Sequence, residues 1–171
     1  MIKEEKVLFK ATVVLPEKND QVLLALKTDK IGAGCWNGYG GGVENDESIL
    51  ECATRELKEE SGLLADQKDL EKVAIADFYN EKSDGTIFVC RVHFFLWRNW
   101  KGVPKETKEM INPTSFDIEN LPLDKMMPAD REFMRLILKG GKFLIEAHYT
   151  PFQKKLKGKV TIKKVEFLPE D

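Results

Sequence analysis

Three glutamates, Glu56, Glu59 and Glu60, lie within five consecutive positions and are followed by Gly62. On a helix they fall at about 0°, 300° and 40° around the axis, so the three carboxylates share one face. The i,i+4 pair of like charges costs about 0.2 to 0.5 kcal/mol, and a bound cation would offset that cost. Carboxylate oxygens on a rigid element suit Mg²⁺, with Mn²⁺ as a possible substitute, whereas zinc is disfavoured because no Cys or His accompanies them.

A plainer alternative is a solvated helix face on which these acids pair with Arg55 and Lys58. The surrounding sequence favours the metal site instead. Residues 41–63 read GGVENDESILECATRELKEESGL and fit G-x(5)-E-x(7)-R-E-U-x-E-E-x-G-U at every defined position, where U is a bulky aliphatic residue. Agreement over this length indicates a functional motif and not a chance run of charge.

This motif is the Nudix box, and the chain resembles the Nudix hydrolases. The resemblance implies an α/β fold, an α/β/α sandwich around a mixed sheet that carries a loop-helix-loop, and hydrolysis of a nucleoside diphosphate linked to another group. It implies Glu56 and Glu60 as metal ligands, Glu59 as ligand or general base, and Arg55 as the residue that orients these carboxylates. The backbone carbonyl of Gly40 is a further candidate ligand. In such a site the metal activates water for attack on phosphorus.

A closer resemblance lies outside the box. Residues 32–41, GAGCWNGYGG, are similar to the MutT-homologue branch, the oxidised-purine nucleoside triphosphatases typified by 8-oxo-dGTP diphosphatase. The similarity continues through ETKEM at 106–110 and LPLDKMMPAD at 121–130. It implies that Asn37 contacts the purine, for which an amide offers both a donor and an acceptor, and that Glu109 lies near the metal. Lys27 is a candidate phosphate contact, with a solvated lysine as the alternative.

One segment departs from that branch. The family carries Trp-Pro-Asp-Asp where this chain has Met127, Pro128, Ala129 and Asp130. A methionine replaces the stacking tryptophan, and alanine replaces the first base-reading aspartate. Met127 can still pack on a purine face, and Asp130 keeps one carboxyl for the base. The sequence therefore predicts purine triphosphate hydrolysis more firmly than 8-oxoguanine selectivity.

The elements that must position these residues follow from local pattern. Residues 7–15 and 21–26 predict an opening hairpin, and 73–78 and 86–97 predict a second strand pair. The glycine-rich stretch 30–43 predicts a functional loop. A helix is expected from a cap at Asn45 or Asp46 to Ser61, with Gly62 as its stop. A second helix is expected over 130–139, and strands over 143–148 and 160–167.

Composition narrows the function classes. The chain has 171 residues, a size that predicts a single Nudix hydrolase domain over 1–171. A net charge of −2 gives no overall field for holding nucleic acid. The chain lacks an apolar run long enough to span a bilayer, and its N-terminus does not resemble a secretory signal, so a cytoplasmic monomer with a small nucleotide substrate is expected. The three cysteines are expected to be buried free thiols.

We therefore predict a Mg²⁺-dependent enzyme that cleaves oxidised purine nucleoside triphosphates, such as 8-oxo-dGTP, to nucleoside monophosphate and pyrophosphate. One alternative is a Nudix hydrolase for dinucleoside polyphosphates or ADP-ribose, which the altered residues 127–130 would suit. Another is a Nudix-fold module that binds nucleotide without cleaving it, because a fold does not by itself establish an activity.

Overall fold

The computed structural model describes residues 5–171, and within that range the chain forms nine strands and two α-helices. The helices are α1, Ile49–Ser61, and α2, Asp130–Leu138. The strands are β1 Lys10–Lys18, β2 Gln21–Lys27, β3 Trp36–Asn37, β4 Tyr39–Gly42, β5 Leu70–Glu81, β6 Ile87–Arg98, β7 Met110–Asp117, β8 Phe143–His148 and β9 Thr161–Lys164.

The strands form one mixed sheet. Its order is β3-β2-β1-β6-β5-β8-β9, while β4 pairs with β1 and β7 pairs with β2. Two pairings are parallel, β1 with β6 and β5 with β8, and the others are antiparallel. The predicted pairing of the strands around 73–78 and 86–97 is confirmed as the antiparallel β5–β6 pair.

The helices lie on opposite faces of the sheet. Successive side chains of a strand point to opposite faces, so Val14 lies in one apolar cluster with Leu57 of α1, whereas Leu15 lies in the other with Phe133 of α2. Two apolar layers therefore flank the sheet, and the predicted α/β/α sandwich is confirmed. The layer under α1 fixes the acidic face of that helix relative to β1 and β4.

The first helix begins later than predicted. Ser48 is its N-cap, and the Ser48 hydroxyl accepts a hydrogen bond of 3.0 Å from the Glu51 N–H. Asp46 cannot serve as the cap because its φ of 64° places it in a left-handed turn before the helix. The predicted end is confirmed: Gly62 has a φ of 76°, and its N–H donates to the Lys58 carbonyl over 2.8 Å.

Strand β7 was not predicted from the sequence, and neither were β3 and β4, which lie within the stretch 30–43 that was expected to be a loop. Half of the residues of Met110–Asp117 are polar, one is Pro113, and Met110 alone of the eight is buried. The strand forms because its backbone pairs with β2, a long-range contact that local pattern does not encode. The last strand is shorter than the predicted 160–167.

One further expectation concerns membrane-spanning and secretory segments. Over residues 5–171 the structure has no helix that is both long and apolar enough to cross a membrane. The prediction about a secretory signal depends partly on residues 1–4, which lie outside the described residues.

The cysteines are free; Cys52 and Cys90 are buried as predicted, but Cys35 is only partly buried because it lies in the glycine-rich loop.

Candidate active site

Arg55 lies at the centre of the motif. Its Nη2 donates to Glu47 Oε1 over 2.9 Å and to the Gly42 carbonyl over 3.1 Å. Its Nη1 donates to Glu56 Oε1 over 2.9 Å and to Glu59 Oε2 over 3.2 Å. Arg55 therefore joins the loop that precedes α1 to the acidic face of the helix, a geometry that suits the orienting role predicted for it.

The pairing of Arg55 with Glu47 dominates the electrostatics of this loop. Its side-chain hydrogen bond lowers the pKa of Glu47 to about 2, although burial acts in the opposite direction. The same hydrogen bond raises the pKa of Arg55 further above its ordinary value. Both groups therefore stay charged throughout the physiological range.

Strand β4 brings two glycines against the glutamates of α1. The Gly40 N–H donates to Glu60 Oε1 over 2.8 Å. A Cβ atom at Gly41 would lie 2.6 Å from the carboxyl carbon of Glu56, and one at Gly40 would lie 1.7 Å from the Thr12 carbonyl oxygen. Both positions are therefore restricted to glycine, because any side chain would displace the Glu56 carboxylate or the neighbouring strand.

Glu60 is 7% exposed, and burial raises its pKa to about 8, with a contribution from the charges of Glu56 and Glu109. Burial also raises the pKa of Glu56, which Arg55 lowers and Glu109 raises. Glu56 and Glu60 belong to α1, and Glu109 directly precedes β7; the charge of Glu109 makes the ionised forms of Glu56 and Glu60 less favourable. A divalent cation would relieve that repulsion, so the residues present fit a metal with oxygen ligands.

The carboxylates of the candidate site are not arranged as a complete set of metal ligands in this conformation of residues 5–171. Within residues 5–171, no three His, Cys, Asp or Glu side chains are grouped closely enough to hold a metal ion. Glu56 is directed to Arg55, Glu60 to the Gly40 amide, and Glu59 is largely exposed. The assignment of Gly40, Glu56, Glu59, Glu60 and Glu109 as metal ligands stays a prediction.

Three of the predicted substrate residues surround Gly32. A Cβ atom there would lie 3.4 Å from Lys27 Cδ, 3.5 Å from Met127 Sδ and 3.6 Å from Asn37 Nδ2. The φ of Gly32, 93°, is one that favours glycine, so the loop can pass close to all three side chains. The burial of Lys27 lowers its pKa, and the charge of Glu60 opposes that shift, so Lys27 lies close enough to the acidic face of α1 to interact with it.

The fourth substrate candidate, Asp130, is the first residue of α2 and is 8% exposed. Burial raises its pKa to about 7. Burial also raises the pKa of Cys35, and the charge of Asp130 adds to that effect, so the carboxyl lies near the glycine-rich loop. The structure thus brings Asp130 to the same side of the molecule as Lys27, Asn37 and Met127.

Three contacts of this site were not predicted from the sequence. Glu47 is part of the motif, but its pairing with Arg55 depends on the turn before α1, and an eight-residue spacing alone gives no signal for it. The Thr107 hydroxyl donates to the Glu60 carbonyl over 3.0 Å and ties α1 to the segment before β7. The Tyr149 hydroxyl accepts from the Ala129 N–H over 2.8 Å. Local sequence gives no signal for the last two contacts, because their partners are distant along the chain.

The fold and the acidic helix define a Nudix protein. A profile of the NUDIX domain matches residues 8–137, and the chain belongs to the Nudix hydrolase family. The chain is 39% identical over 133 residues to an oxidized purine nucleoside triphosphate hydrolase of Danio rerio, a match that covers 78% of this chain and 81% of that protein. It is 38% identical over 132 residues to the protein of the same name from Mus musculus, which covers 77% and 81%.

Solved structures agree with this placement. The crystal structure of a MutT protein from Bacillus halodurans matches with a TM-score of 0.76 and 25% identity, over 91% of this chain and 97% of that one. A MutT Nudix hydrolase from Burkholderia pseudomallei, at 20% identity, matches with a TM-score of 0.64 over 78% of this chain and 98% of that one, and shares the fold.

Proposed function

We propose that this chain is a Mg²⁺-dependent hydrolase that converts oxidised purine nucleoside triphosphates to nucleoside monophosphates and pyrophosphate. The names of the Danio rerio and Mus musculus relatives support the substrate class. The observation that supports it most strongly is the arrangement around Gly32, where Lys27, Asn37 and Met127 meet, and where Lys27 also interacts with the charge of Glu60 on α1. Such an arrangement can hold a base and its phosphates at the same time.

In this proposal one part of the site binds the purine base and another part binds the phosphates. Asn37 and Asp130 hydrogen-bond to the edge of the purine, and Met127 packs on its face. Lys27 binds a phosphate, because its ammonium group is near Glu60 and partly withdrawn from water. The base is thereby fixed while the phosphate chain extends along α1.

The hydrolytic step takes place at the acidic face. Glu56, Glu60, Glu109 and the carbonyl of Gly40 would hold Mg²⁺, which neutralises phosphate charge and lowers the pKa of its bound water. Arg55 holds Glu56 and Glu59 in place through the two Nη1 contacts. The exposed Glu59 is ligand or general base; as base it accepts the proton of the water that attacks phosphorus.

The test is hydrolysis with Mg²⁺ of 8-oxo-dGTP, 2-hydroxy-dATP, dGTP, ATP, ADP-ribose and diadenosine polyphosphates, compared by kcat/KM. We expect the highest value for an oxidised purine triphosphate, with monophosphate and pyrophosphate as products. Glu60→Gln should abolish turnover, whereas Glu51→Gln, an exposed residue of the same helix, should leave it unchanged. A preference for ADP-ribose or a dinucleotide would contradict the substrate assignment, and binding without cleavage would contradict the enzyme.

The remaining expectations are also proposals. One Nudix domain over 1–171 is supported by the sheet, which continues past residue 137 through β8 and β9. A monomeric state, a cytoplasmic location and the lack of nucleic-acid binding stay predictions from composition. Gel filtration with light scattering tests the first of these three.

A further inference from the structure

Tyr149 directly follows β8 and is 1% exposed. Its hydroxyl accepts a hydrogen bond from the Ala129 N–H over 2.8 Å. Ala129 is the N-cap residue of α2 and has no side-chain oxygen to serve as a cap. The tyrosine therefore fixes the backbone of the residue that directly precedes Asp130.

The segment around Asp130 is also held from a second side. Arg131 Nε donates to the Met126 carbonyl over 2.9 Å, and Arg131 Nη2 donates to the Asp124 carbonyl over 3.4 Å. Met126 and Ala129 are fully buried in the same apolar layer as Tyr149. The backbone from 126 to 130 is therefore held on two sides, with Met127 facing Gly32 and Asp130 close enough to Cys35 to affect its pKa.

The Asp130 carboxyl has no such support of its own. Burial raises its pKa to about 7, and no hydrogen bond or charge from residues 5–171 is among the causes of that shift. The Asp130 charge in turn adds to the burial that raises the pKa of Tyr149, so the two side chains are neighbours and the phenol stays protonated. The position of the carboxyl is consequently set by the backbone from which it projects and by the packing that buries it.

We propose that Tyr149 is a positioning residue for base recognition, which holds the Ala129 amide and thereby fixes the Asp130 carboxyl where a purine edge can meet it. The inference depends on the proposed function, since Asp130 serves this purpose only if the ligand is a purine nucleotide. It also accounts for how one aspartate can read the base where the resembling branch has two: the segment that carries the remaining carboxyl is held by Tyr149, which directly follows β8.

Tyr149→Phe tests the inference because it removes one oxygen and keeps the ring. The ring packs edge-on against Phe78 at a centroid distance of 5.9 Å, so the apolar contact is retained. We expect the affinity for 8-oxo-dGMP, measured by calorimetry without metal, to fall about three- to tenfold, the loss typical of one hydrogen bond. The KM for 8-oxo-dGTP should rise by the same factor at unchanged kcat. Tyr79→Phe, a phenol on β5 outside this contact, is the control and should change neither quantity.

A double-mutant cycle separates positioning from general damage. In an Asp130→Asn background, Tyr149→Phe should have little further effect on affinity, because the residue through which it acts is already altered. Tyr149→Met also removes the acceptor of this hydrogen bond and fills the site with a flexible apolar side chain, and it should reproduce the loss if Tyr149→Phe does not fold.

Three results would overturn the inference: unchanged affinity and KM in both variants, effects of Tyr149→Phe and Asp130→Asn that simply add, or a lower Tm with no change in KM. Failure of the proposed function is a different result, namely that the wild-type protein hydrolyses no purine nucleoside triphosphate. The two failures are therefore read from different measurements.

Discussion

The guanidinium of Arg55 meets the carboxylate of Glu47 through two hydrogen bonds, one from Nε to Oε2 and one of 2.9 Å from Nη2 to Oε1. The side chain of Glu47 is 11% exposed and that of Arg55 is 23% exposed, so water screens the pair only in part. The bond joins the turn before α1 to the middle of the helix. Loop and helix therefore act as one rigid support for Glu56 and Glu59.

Replacing Glu47 by Gln should lower the free energy of unfolding at pH 7 by about 1 to 3 kcal/mol, as expected for hydrogen bonds to a charged partner. The folded pKa of Glu47 is lowered from 4.5 to about 2, so its stabilisation is complete above pH 4.5 and is lost as the pH falls towards 2. Urea unfolding of both proteins should show the difference at pH 7 and little of it at pH 2.

Glu44→Gln is the matched control for that change. Glu44 is 69% exposed and lies 3.7 Å from Arg55, so its loss should cost less than about 0.5 kcal/mol. If both variants lose the same free energy of unfolding, the bidentate geometry of Glu47 adds nothing to stability.

Gly41→Ala should strongly reduce kcat. The added Cβ would lie 2.6 Å from the Glu56 carboxyl carbon and must push that carboxylate away from Arg55. Gly42→Ala is the control, because its Cβ would meet the end of the flexible Leu8 side chain at 2.5 Å, which can move aside. Steady-state kinetics on both variants measure the effect, and a similar loss in the two would refute a specific role for the Gly41–Glu56 approach.

Mg²⁺ should raise the Tm of the wild-type protein in proportion to the logarithm of its concentration above the Kd, because a ligand that binds the folded state stabilises it by mass action. At a hundredfold excess over the Kd the gain is about 2.7 kcal/mol. Glu60→Gln should lose most of this gain, and Glu51→Gln should keep it. A Tm that rises equally in both variants would place the metal elsewhere.

Asp130→Asn should stabilise the protein at pH 8 and have little effect at pH 4. The folded pKa of Asp130 is raised from 3.8 to about 7 by burial, so the folded state holds a proton that the unfolded state releases. The free energy of unfolding of the wild-type protein consequently falls as the pH rises between these two values, by about 1.4 kcal/mol for each unit by which the pKa is raised. The uncharged amide of Asp130→Asn does not titrate, so the variant does not suffer this loss. Urea unfolding at the two pH values is the measurement; a variant that is less stable than wild type at pH 8 would show that the carboxylate is well solvated.

The same variant should bind purine nucleotides more weakly, since it alters the group that reads the base. Stability gained at the cost of affinity would show that Asp130 is kept for function.

The sequence predicted those features whose geometry depends only on residues that are close together in the chain. The spacing of Glu56, Glu59 and Glu60 predicted one acidic helix face, and Gly62 predicted the helix end, because helical geometry and the left-handed preference of glycine act within a few residues. Runs of β-branched and apolar residues likewise predicted the first hairpin, with its polar turn, and the β5–β6 pair. The start of α1 was misplaced, because Asn45, Asp46 and Ser48 can all cap a helix and the turn geometry selects among them.

Taken alone, the sequence determined the chemistry of the motif and the family, since those depend on residue types at fixed short spacings. Tertiary structure alone decided that β7 pairs with β2, that Lys27, Asn37 and Met127 meet at Gly32, and that Tyr149 supports the segment bearing Asp130. Each of these arrangements includes at least one partner far away in the chain, such as Met127 beside Gly32 or Tyr149 beside Ala129. Their formation depends on the packing of the two apolar layers around the sheet, and not on the preferences of any one segment.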